Sequence, residues 1–457
     1  MVERFDVFVV GGGGTGSEVA FSLARRSKLK IGIAERDKLG GECNHYGCVP
    51  TKVMLKSAKV AASARGADEF GVHTGDVHVD FGAVMKRARS IIDGFSGGGA
   101  KPFEEQGVTV LFDEVRLVGP HRLESAAGQI IEAEHIVLAT GTEATAPPVP
   151  GLDGAPYWTN REAIWGSDHV PSSLIVLGSG PIGIEFAQVY ARFGAAVTVV
   201  ELFDRILYVE DPDSSAAMVP VLEGDGMKLL TGAKTTKVEH DTNGWRLFID
   251  GRPDPVESEA LLVATGRKPC FDEHDLEAAG VQMKEGKPVL DETLRTTGEK
   301  VWVAGDATGE LLFTHIGGYE AEIVVDDILG TRRARDYRVV PKVTYCEPEV
   351  ASVGITEEAA RKEGRDVVTS LLQIGDNERA VIEGVTHGIV KLVADRSSGE
   401  LLGGHIVAET AGDMIHEVVA AMATRAPIEA VAEAIHSYPT LSESLKGAFL
   451  GLAEQLR

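Results

Sequence analysis

Residues 5–16 read Phe5-Asp-Val-Phe-Val-Val-Gly11-Gly-Gly13-Gly14-Thr-Gly16, an apolar run that passes directly into a glycine-rich turn. A helical stretch spaced by Ala and Leu follows, and a second apolar run, residues 30–34, ends at Glu35. Strand, glycine turn, helix, strand and acid, in that order, are typical of a dinucleotide-binding unit. Glu35 would bond ribose hydroxyls, and the helix N-terminus would attract phosphate. The glycines expected to make this turn and admit a pyrophosphate are Gly11, Gly13, Gly14 and Gly16.

The same order recurs after residue 173. An apolar run, residues 174–177, leads into Gly178-Ser-Gly180-Pro-Ile182-Gly183, and a helical stretch through Glu185 is followed by a strand that ends at Glu201. Two such units imply two bound nucleotides. Glu201 would accept a hydrogen bond from a ribose 2′-hydroxyl and repel a 2′-phosphate, so the sequence favours NADH. Arg205 lies close enough in sequence to leave NADPH open.

Two cysteines follow the first unit, in Gly40-Gly-Glu-Cys43-Asn-His-Tyr-Gly47-Cys48-Val-Pro-Thr-Lys52. Residues five apart in a regular helix rise about 7.5 Å, whereas a disulfide prefers about 5.5–6 Å between Cα atoms. The first turn must therefore be distorted, which Gly47 would permit. Two buried structural thiols are the alternative, but the position beside a dinucleotide unit favours a redox pair reduced by a flavin. A helix start should also depress the pKa of Cys43.

Three further apolar runs end in short turns. Residues 136–141 end in Thr140-Gly141, residues 261–267 pass through Gly266, and residues 301–306 end in Asp306. The first two runs are predicted to be the strands at the far ends of the two nucleotide-binding units. Asp306 would bond a ribityl hydroxyl of a flavin, or alternatively cap the helix that follows near His315.

These motifs, in this order, resemble the class I pyridine nucleotide-disulfide oxidoreductases, nearest in pattern to dihydrolipoamide dehydrogenase. The segments 341–354 and 439–443 extend the resemblance over essentially the whole chain. It implies an α/β fold with two Rossmann-like domains, for FAD and for NAD, plus a C-terminal α+β dimerisation domain. The implied ranges are 1–150 for FAD, 151–270 for NAD(P), 271–335 for a return segment and 336–457 for the interface domain.

The resemblance also implies residue roles and partners. Cys43 resembles the interchange thiol, Cys48 the charge-transfer thiol, and Lys52 and Glu185 the ion pair beside the flavin. The family implies tightly bound FAD, NAD(H) and a homodimer whose C-terminal domain completes the other copy's active site. The residues implied to contact either cofactor are Gly11, Gly13, Gly14, Gly16, Glu35, Lys52, Thr140, Gly141, Gly178, Gly180, Ile182, Gly183, Glu185, Glu201, Gly266, Asp306 and His315.

The C-terminal motif departs from that pattern. Dihydrolipoamide dehydrogenases carry a catalytic histidine before the proline and a glutamate that orients it, whereas this chain reads His436-Ser-Tyr438-Pro-Thr-Leu-Ser-Glu443. A phenol near pKa 10 is a poor base at neutral pH, where a histidine near 6.5 is a good one. Three interpretations stay open: His436 substitutes, Tyr438 donates a proton, or the acceptor needs no proton relay. Tyrosine here also resembles mercuric reductases, although their C-terminal cysteine pair is missing.

The predicted reaction is NADH-dependent reduction of a small-molecule acceptor through FAD and the Cys43–Cys48 pair. A disulfide acceptor is the first candidate, and metal ions or quinones are the alternative. A structural role within a 2-oxoacid dehydrogenase complex is a different class of function that co-purification would reveal.

Composition limits the remaining classes. A formal net charge of −24 disfavours nucleic acid and anionic membranes as partners. No run suggests a secretory signal or a membrane span, and no spacing suggests a metal site. We therefore expect a cytoplasmic enzyme, with Cys270 and Cys346 as packing residues.

Overall fold

The structure of the protein, a computed structural model, describes residues 2–96 and 98–457. Its strands, in chain order, are β1 Val2–Val10, β2 Ile31–Ala34, β3 Thr109–Leu111, β4 Val115–Gly119, β5 Arg122–Ser125, β6 Ile130–Leu138, β7 Thr142–Ala144, β8 Ser173–Leu177, β9 Ala196–Val200, β10 Lys228–Leu230, β11 Thr235–Asp241, β12 Gly244–Ile249, β13 Val256–Ser258, β14 Ala260–Val263, β15 Arg267–Pro269, β16 Met283–Lys284, β17 Lys287–Pro288, β18 Val301–Val303, β19 Lys342–Thr344, β20 Glu349–Gly354, β21 Val367–Gln373, β22 Ile389–Asp395 and β23 Leu401–Ala408.

The α-helices are α1 Gly14–Arg26, α2 Gly41–His45, α3 Cys48–Arg65, α4 Phe81–Ser96, α5 Lys101–Glu104, α6 Asn160–Trp165, α7 Pro181–Phe193, α8 Pro212–Gly224, α9 Glu273–Ala278, α10 Thr314–Ile328, α11 Glu357–Lys362, α12 Glu378–Ile382, α13 Ala411–Thr424, α14 Ile428–Ala432 and α15 Ser442–Leu456. Short 3₁₀ helices cover Ala67–Phe70, Gly305–Thr308 and Ile374–Asp376.

The first of two compact units contains the chain up to Val53, Ala83–Thr145 and Gly266–Asp336. Its main sheet has the order β3-β2-β1-β6-β5-β4, and β18 also pairs with β6. Strands β3, β2, β1, β6 and β18 run parallel. Because parallel strands end at the same edge of a sheet, the turns that follow β1, β6 and β18 come together there. These turns carry the glycines, Thr140 and Asp306.

The second compact unit contains Met54–Gly82, Ala146–Thr265 and Tyr337–Arg457. It holds a parallel sheet of order β10-β9-β8-β14, an antiparallel sheet β11-β12-β13, and an antiparallel sheet of order β19-β20-β23-β22-β21. Helices α13 and α15 pack on the last of these sheets through a large apolar core. This unit therefore combines a second nucleotide-type sheet with a C-terminal α+β region.

The strands that the sequence predicted around both glycine turns are confirmed. Residues 5–10 lie in β1, residues 174–177 in β8, and residues 197–200 in β9. Strands β1, β8 and β14 are buried on both faces over most of their length, which is why they read as continuous apolar runs rather than as alternating ones. The four domain ranges inferred from the sequence stay predictions.

Candidate active site

The first glycine turn joins β1 to α1 by two close backbone approaches. Gly11 has φ +104°, and a Cβ on it would lie 2.3 Å from the Ala139 carbonyl oxygen. A Cβ on Gly16 would lie 1.9 Å from the carbonyl oxygen of Gly11. In contrast, a Cβ on Gly13 or Gly14 would meet nothing nearer than 3.8 Å. Contacts within the protein therefore require glycine at positions 11 and 16. Gly13 and Gly14, in contrast, leave room for a ligand.

The N-terminus of α1 suits an anion. Its N-cap, Gly13, provides no side-chain cap, and the first turn contains no acidic residue. Backbone N–H groups at such a helix start attract phosphate oxygens. Glu35 lies beside this turn, where its carboxylate accepts from the N–H of Gly12 at 2.8 Å and from that of Asp37 at 2.8 Å. These bonds hold the side chain in place and leave lone pairs for ribose hydroxyls.

The second glycine turn repeats this geometry between β8 and α7. Gly178 has φ +101°, and a Cβ on Gly183 would lie 2.1 Å from the Gly178 carbonyl oxygen. A Cβ on Gly180 would meet no atom within 4 Å. Gly180 caps α7, again without a side-chain hydrogen bond, and Ile182 in the first turn of the helix is exposed. The two turns thus present equivalent open backbone at equivalent helix starts.

Two backbone N–H groups donate to Glu201, as two do to Glu35, and a serine hydroxyl adds a third hydrogen bond to Glu201. Its carboxylate accepts from the Ser179 N–H at 2.8 Å, from the Ser179 hydroxyl at 2.6 Å and from the Phe203 N–H at 2.9 Å. Arg205 donates to the Tyr208 carbonyl at 3.0 Å and lies 3.7 Å from a Glu358 carboxylate oxygen. Two groups other than Glu201 thus contact the Arg205 guanidinium.

The turns after β6 and β18 add polar groups to the edge of the first sheet. Thr140 Oγ1 is buried and has no hydrogen-bond partner within the described part of the chain. Asp306 accepts from Thr142 Oγ1 at 3.4 Å, and burial raises the pKa of Asp306. Arg267 donates to the hydroxyl and to the carbonyl oxygen of Thr142, each at 2.8 Å. A buried orphan hydroxyl and a buried carboxylate are groups that a polar ligand would satisfy.

Asp306 does not cap the following helix. The N-cap of α10 is Phe313, which makes no side-chain cap bond, and Asp306 lies in a separate 3₁₀ helix. The capping alternative is therefore wrong for this residue. His315, the second residue of α10, is exposed and stacks on Phe313 with ring centroids 5.4 Å apart. Gly141 and Gly266, both with positive φ, adopt turns after β6 and β14.

The two cysteines of the motif lie on either side of a helix break. Cys43 is in α2 and Cys48 begins α3, with Tyr46 and Gly47 between the helices. The predicted distortion is confirmed. A Cβ on Gly47 would lie 3.2 Å from the Glu42 carbonyl oxygen, so glycine permits the close packing at this break.

Thr314 joins the pair from a distant part of the chain. Its hydroxyl lies 3.3 Å from the Cys43 sulfur and 3.6 Å from the Cys48 sulfur. Neither cysteine forms a disulfide in the structure. Sequence reasoning missed Thr314 and selected its neighbour His315, although the hydroxyl-bearing residue at the start of a helix was a signal that could have been used.

The expected depression of the Cys43 pKa is wrong. The pKa of Cys43 is raised, because its thiol is hydrogen-bonded to the Cys48 sulfur and is largely buried, and because a negative charge on Cys48 opposes a second one nearby. The Thr314 hydroxyl and the charge of Lys52 act in the opposite direction but are weaker. Helix α2 is a single turn, so its N-terminus contributes little.

Lys52 and Glu185 belong to different compact units. Lys52 lies one turn after Cys48 in α3. Glu185 is buried in α7, and its carboxylate accepts from the Tyr345 N–H at 2.9 Å. The ion pair between them stays a prediction.

The C-terminal motif has its own hydrogen bonds. His436 Nε2 lies 3.0 Å from a carboxylate oxygen of Glu417 in α13, and its side chain is 9% exposed. Tyr438 is 72% exposed and precedes Pro439 through a cis peptide bond. Glu443 accepts from the Thr440 N–H at 3.1 Å at the start of α15. Within this motif, the tyrosine is thus the side chain that is presented to the outside.

In the residues that the structure describes, no group of three or more His, Cys, Asp or Glu side chains has the geometry of a metal site. Within the same ranges, no helix combines the length and apolar character needed to cross a bilayer.

Comparison with known proteins places the chain in a family. Residues 5–321 match Pyridine nucleotide-disulphide oxidoreductase, and residues 340–449 match the dimerisation domain of that family. A dihydrolipoyl dehydrogenase of Rhizobium etli is 34% identical, with 98% of each chain covered, and a mercuric reductase of Bacillus cereus is 33% identical over 98% of this chain and 71% of its own.

A solved structure is similar over almost all of the chain. The HOCl-induced flavoprotein disulfide reductase RclA of Escherichia coli, in its Cu(II) complex, has a TM-score of 0.87 at 27% identity and covers 97% of this chain and 99% of its own. Two family matches and these relatives agree with the predicted α/β fold, with FAD and NAD(P)H as cofactors, and with a homodimer. The chain therefore belongs to the pyridine nucleotide-disulfide oxidoreductase family and is a flavin-dependent NAD(P)H oxidoreductase.

Proposed function

We propose that this enzyme carries electrons from NADH to a small-molecule disulfide through the Cys43–Cys48 pair. The observation that supports this most is that the sulfurs of Cys43 and Cys48 both lie close to the Thr314 hydroxyl, at 3.3 and 3.6 Å. Cysteines brought this close across a helix break suit reversible formation of a disulfide.

The first glycine turn and its surroundings fit FAD. Open backbone at Gly13 and Gly14 would admit the pyrophosphate, and Glu35 would hold a ribose. The orphan hydroxyl of Thr140 and the buried carboxylate of Asp306 would bond further polar groups. Bound there, FAD supplies a two-electron carrier between nicotinamide and disulfide.

The cysteines then have different roles. Cys48 is the charge-transfer thiol against the flavin, the role that the family resemblance implies for it. Cys43 is the sulfur that would attack the acceptor, and it must first lose its proton. Lys52 favours that loss, since its positive charge lowers the pKa of Cys43.

A metal ion is the second candidate acceptor. Tyr438 occupies the position of the usual acid/base, and the His436 side chain is only 9% exposed, which disfavours direct contact of His436 with an acceptor. An acceptor that takes no proton would suit such a site. Mercuric reductase and a Cu(II)-bound disulfide reductase are both among the similar proteins.

The acceptor class is tested by changing Tyr438 to histidine. We expect wild type to reduce lipoamide slowly and Tyr438→His to reduce it at least about tenfold faster, because positioned acid/base help contributes about 10² to 10⁴ in rate. NADH oxidation is followed with lipoamide, glutathione disulfide, a quinone and Hg(II) as acceptors. Tyr438→Phe is the matched control, which keeps the ring and should leave lipoamide turnover low. If wild type already turns over lipoamide rapidly and Tyr438→His adds nothing, the proposal that this site lacks its base is wrong.

The second glycine turn supports NADH as the donor. A buried carboxylate at Glu201 accepts three hydrogen bonds and faces the turn that would hold the nicotinamide nucleotide. We expect Glu201→Gln to lower the KM ratio of NADPH to NADH about tenfold, since the repulsion of a 2′-phosphate is removed. Arg205→Ala should leave the ratio unchanged, because Arg205 is already bonded to Tyr208 and Glu358. A rise in KM for NADPH alone in Arg205→Ala would instead identify NADPH as the donor.

We further propose that the C-terminal segment of one copy completes the active site of the other, and that the enzyme works in a reducing cytoplasm. The exposure of Tyr438 at 72% and of Ile435 at 98% supports an interface at this segment. A role as a subunit of a 2-oxoacid dehydrogenase complex would show itself as co-purification with a large assembly.

A further inference from the structure

Helix α2, which carries Cys43, is a single turn of five partly buried residues. A helix this short has no stability of its own, so contacts with other elements must hold it in place. Two other helices provide such contacts. Asn44 of α2 donates to the Ser96 hydroxyl of α4 at 3.1 Å, and the Thr314 hydroxyl of α10 donates to the Cys43 sulfur at 3.3 Å. The position of Cys43 therefore depends on polar contacts between distant parts of the chain.

Glu42, the residue immediately before Cys43, adds a charged contact. Its carboxylate lies 3.4 Å from the Arg267 guanidinium, and the Glu42 and Arg267 side chains are 29% and 13% exposed. Water and salt screen a partly buried ion pair less than one in open solvent. The pair is therefore suited to hold α2 in a fixed position.

Arg267 is itself fixed by the fold. Its guanidinium donates to the hydroxyl and to the carbonyl oxygen of Thr142, each at 2.8 Å, and the Thr142 hydroxyl donates to Asp306 at 3.4 Å. The N–H groups of a guanidinium form a rigid fork, so one arginine can contact Thr142 and Glu42 at the same time. A continuous chain of contacts thus runs from Asp306 through Thr142 and Arg267 to Glu42.

We propose that Arg267 is a positioning residue: through Glu42 it holds Cys43 where its sulfur can bond to that of Cys48, and so it helps to set the redox potential of the pair. The inference rests on the proposed function, because it takes Cys43 and Cys48 to be the redox pair. A disulfide forms only within a narrow range of Cα separations. When α2 is released, a larger share of the reduced molecules has its sulfurs too far apart, which favours the dithiol over the disulfide.

The test measures the equilibrium between the Cys43–Cys48 dithiol and its disulfide in the FAD-loaded protein. Without oxygen, the protein is equilibrated with mixtures of reduced and oxidised dithiothreitol, and each protein dithiol that is oxidised reduces one molecule of oxidised dithiothreitol. Thiols are then trapped with N-ethylmaleimide. Trypsin cleaves after Lys38 and Lys52, so one peptide contains both cysteines and mass spectrometry shows whether it carries two labels or none. Flavin absorbance at each point reports the flavin separately.

We expect Glu42→Ala and Arg267→Ala each to lower the equilibrium constant for the disulfide about tenfold, because each removes a charge-assisted contact of α2. A tenfold change raises the potential of this two-electron couple by about 30 mV. The double variant should match either single variant, since the two residues act as one contact.

Glu143→Ala is the matched control. Glu143 pairs with Lys268 at 3.1 Å across the same two strands, β7 and β15, and both side chains are exposed. Successive residues of a strand point to opposite faces, so this pair lies on the other face from Arg267. Glu143→Ala should therefore keep the wild-type potential.

Three results would overturn the inference: a wild-type potential in Glu42→Ala, an equal shift in Glu143→Ala, or a double variant that shows the sum of the two single shifts. Retained flavin absorbance confirms that each variant is folded. If Arg267→Ala loses its flavin, Glu42→Ala and Glu42→Gln decide. Glu42→Gln should shift the potential less, because its amide oxygen can still accept from Arg267.

One equivalent of NADH, used in place of dithiothreitol, separates this inference from the proposed function. If NADH leaves the wild-type peptide without labels although dithiothreitol gives it two, the pair lies outside the electron path and the proposed function fails. If NADH gives two labels and Glu42→Ala has the wild-type potential, the proposed function stands and only the positioning role of Arg267 is lost.

Discussion

Cys43→Ser is expected to lower NADH-driven turnover of disulfide acceptors by about 10³-fold or more, because removing a catalytic nucleophile removes the covalent route altogether. Cys43 is the half-buried sulfur 3.3 Å from the Thr314 hydroxyl, and serine keeps its size without its nucleophilicity. Quinone reduction should persist in the same variant, since a quinone can accept electrons without a sulfur nucleophile.

Steady-state NADH oxidation with each acceptor measures the effect. Cys270→Ser is the matched control, because Cys270 is also half-buried but stands outside the pair. Its turnover should equal that of wild type. Equal loss of lipoamide and quinone turnover in Cys43→Ser would mean that the substitution damages the nucleotide sites instead. Unchanged lipoamide turnover would remove Cys43 from the reaction.

Lys391→Ala is expected to cost about 3–5 kcal/mol of unfolding free energy, as breaking a buried ion pair does. Lys391 Nζ lies 3.1 Å from Asp211, 2.7 Å from Asp213 and 3.0 Å from Glu357, and the Lys391 side chain is 6% exposed. Burial alone lowers the pKa of Lys391, but its hydrogen bonds to Asp213 and Glu357 outweigh burial and raise it. Without the lysine, the fully buried Asp211 loses its counter-charge.

Urea unfolding of the FAD-loaded protein, at one protein concentration, checks this expectation. Lys300→Ala is the matched control: its partner Glu134 lies at 2.6 Å, but both side chains are substantially exposed, so the loss should be much smaller than for Lys391→Ala. The double variant Lys391→Met with Asp211→Asn should recover part of the stability, because it removes the buried charge as well as its partner. Equal destabilisation by the two lysine substitutions would show that burial of the cluster contributes nothing.

Local sequence patterns predicted the nucleotide-binding parts well. Glycine turns depend on residues within one strand, one turn and one helix, so Gly11, Gly16, Gly178 and Gly183 could be read from spacing alone, and the structure shows why each lacks a side chain. The signal for the helix break between Cys43 and Cys48 was also local, because two cysteines five residues apart in a regular helix are too far apart to form a disulfide.

Properties that depend on partners distant in sequence could not be read in this way. The prediction for the Cys43 pKa considered only the helix start and was wrong, since burial and the Cys48 sulfur decide that pKa. The role of His436, which lies between helices, was left open because its bond to Glu417 in α13 has no local signature.

The sequence by itself determined the family, the two dinucleotide units and the position of the redox pair, because each is encoded in contiguous residues whose spacing is set by backbone geometry. Only the tertiary structure decided which hydroxyl contacts the sulfurs, which groups raise the pKa of Cys43, and how His436 is held. Those depend on hydrogen bonds and burial created when segments hundreds of residues apart, such as α2 and α10, are packed against one sheet edge.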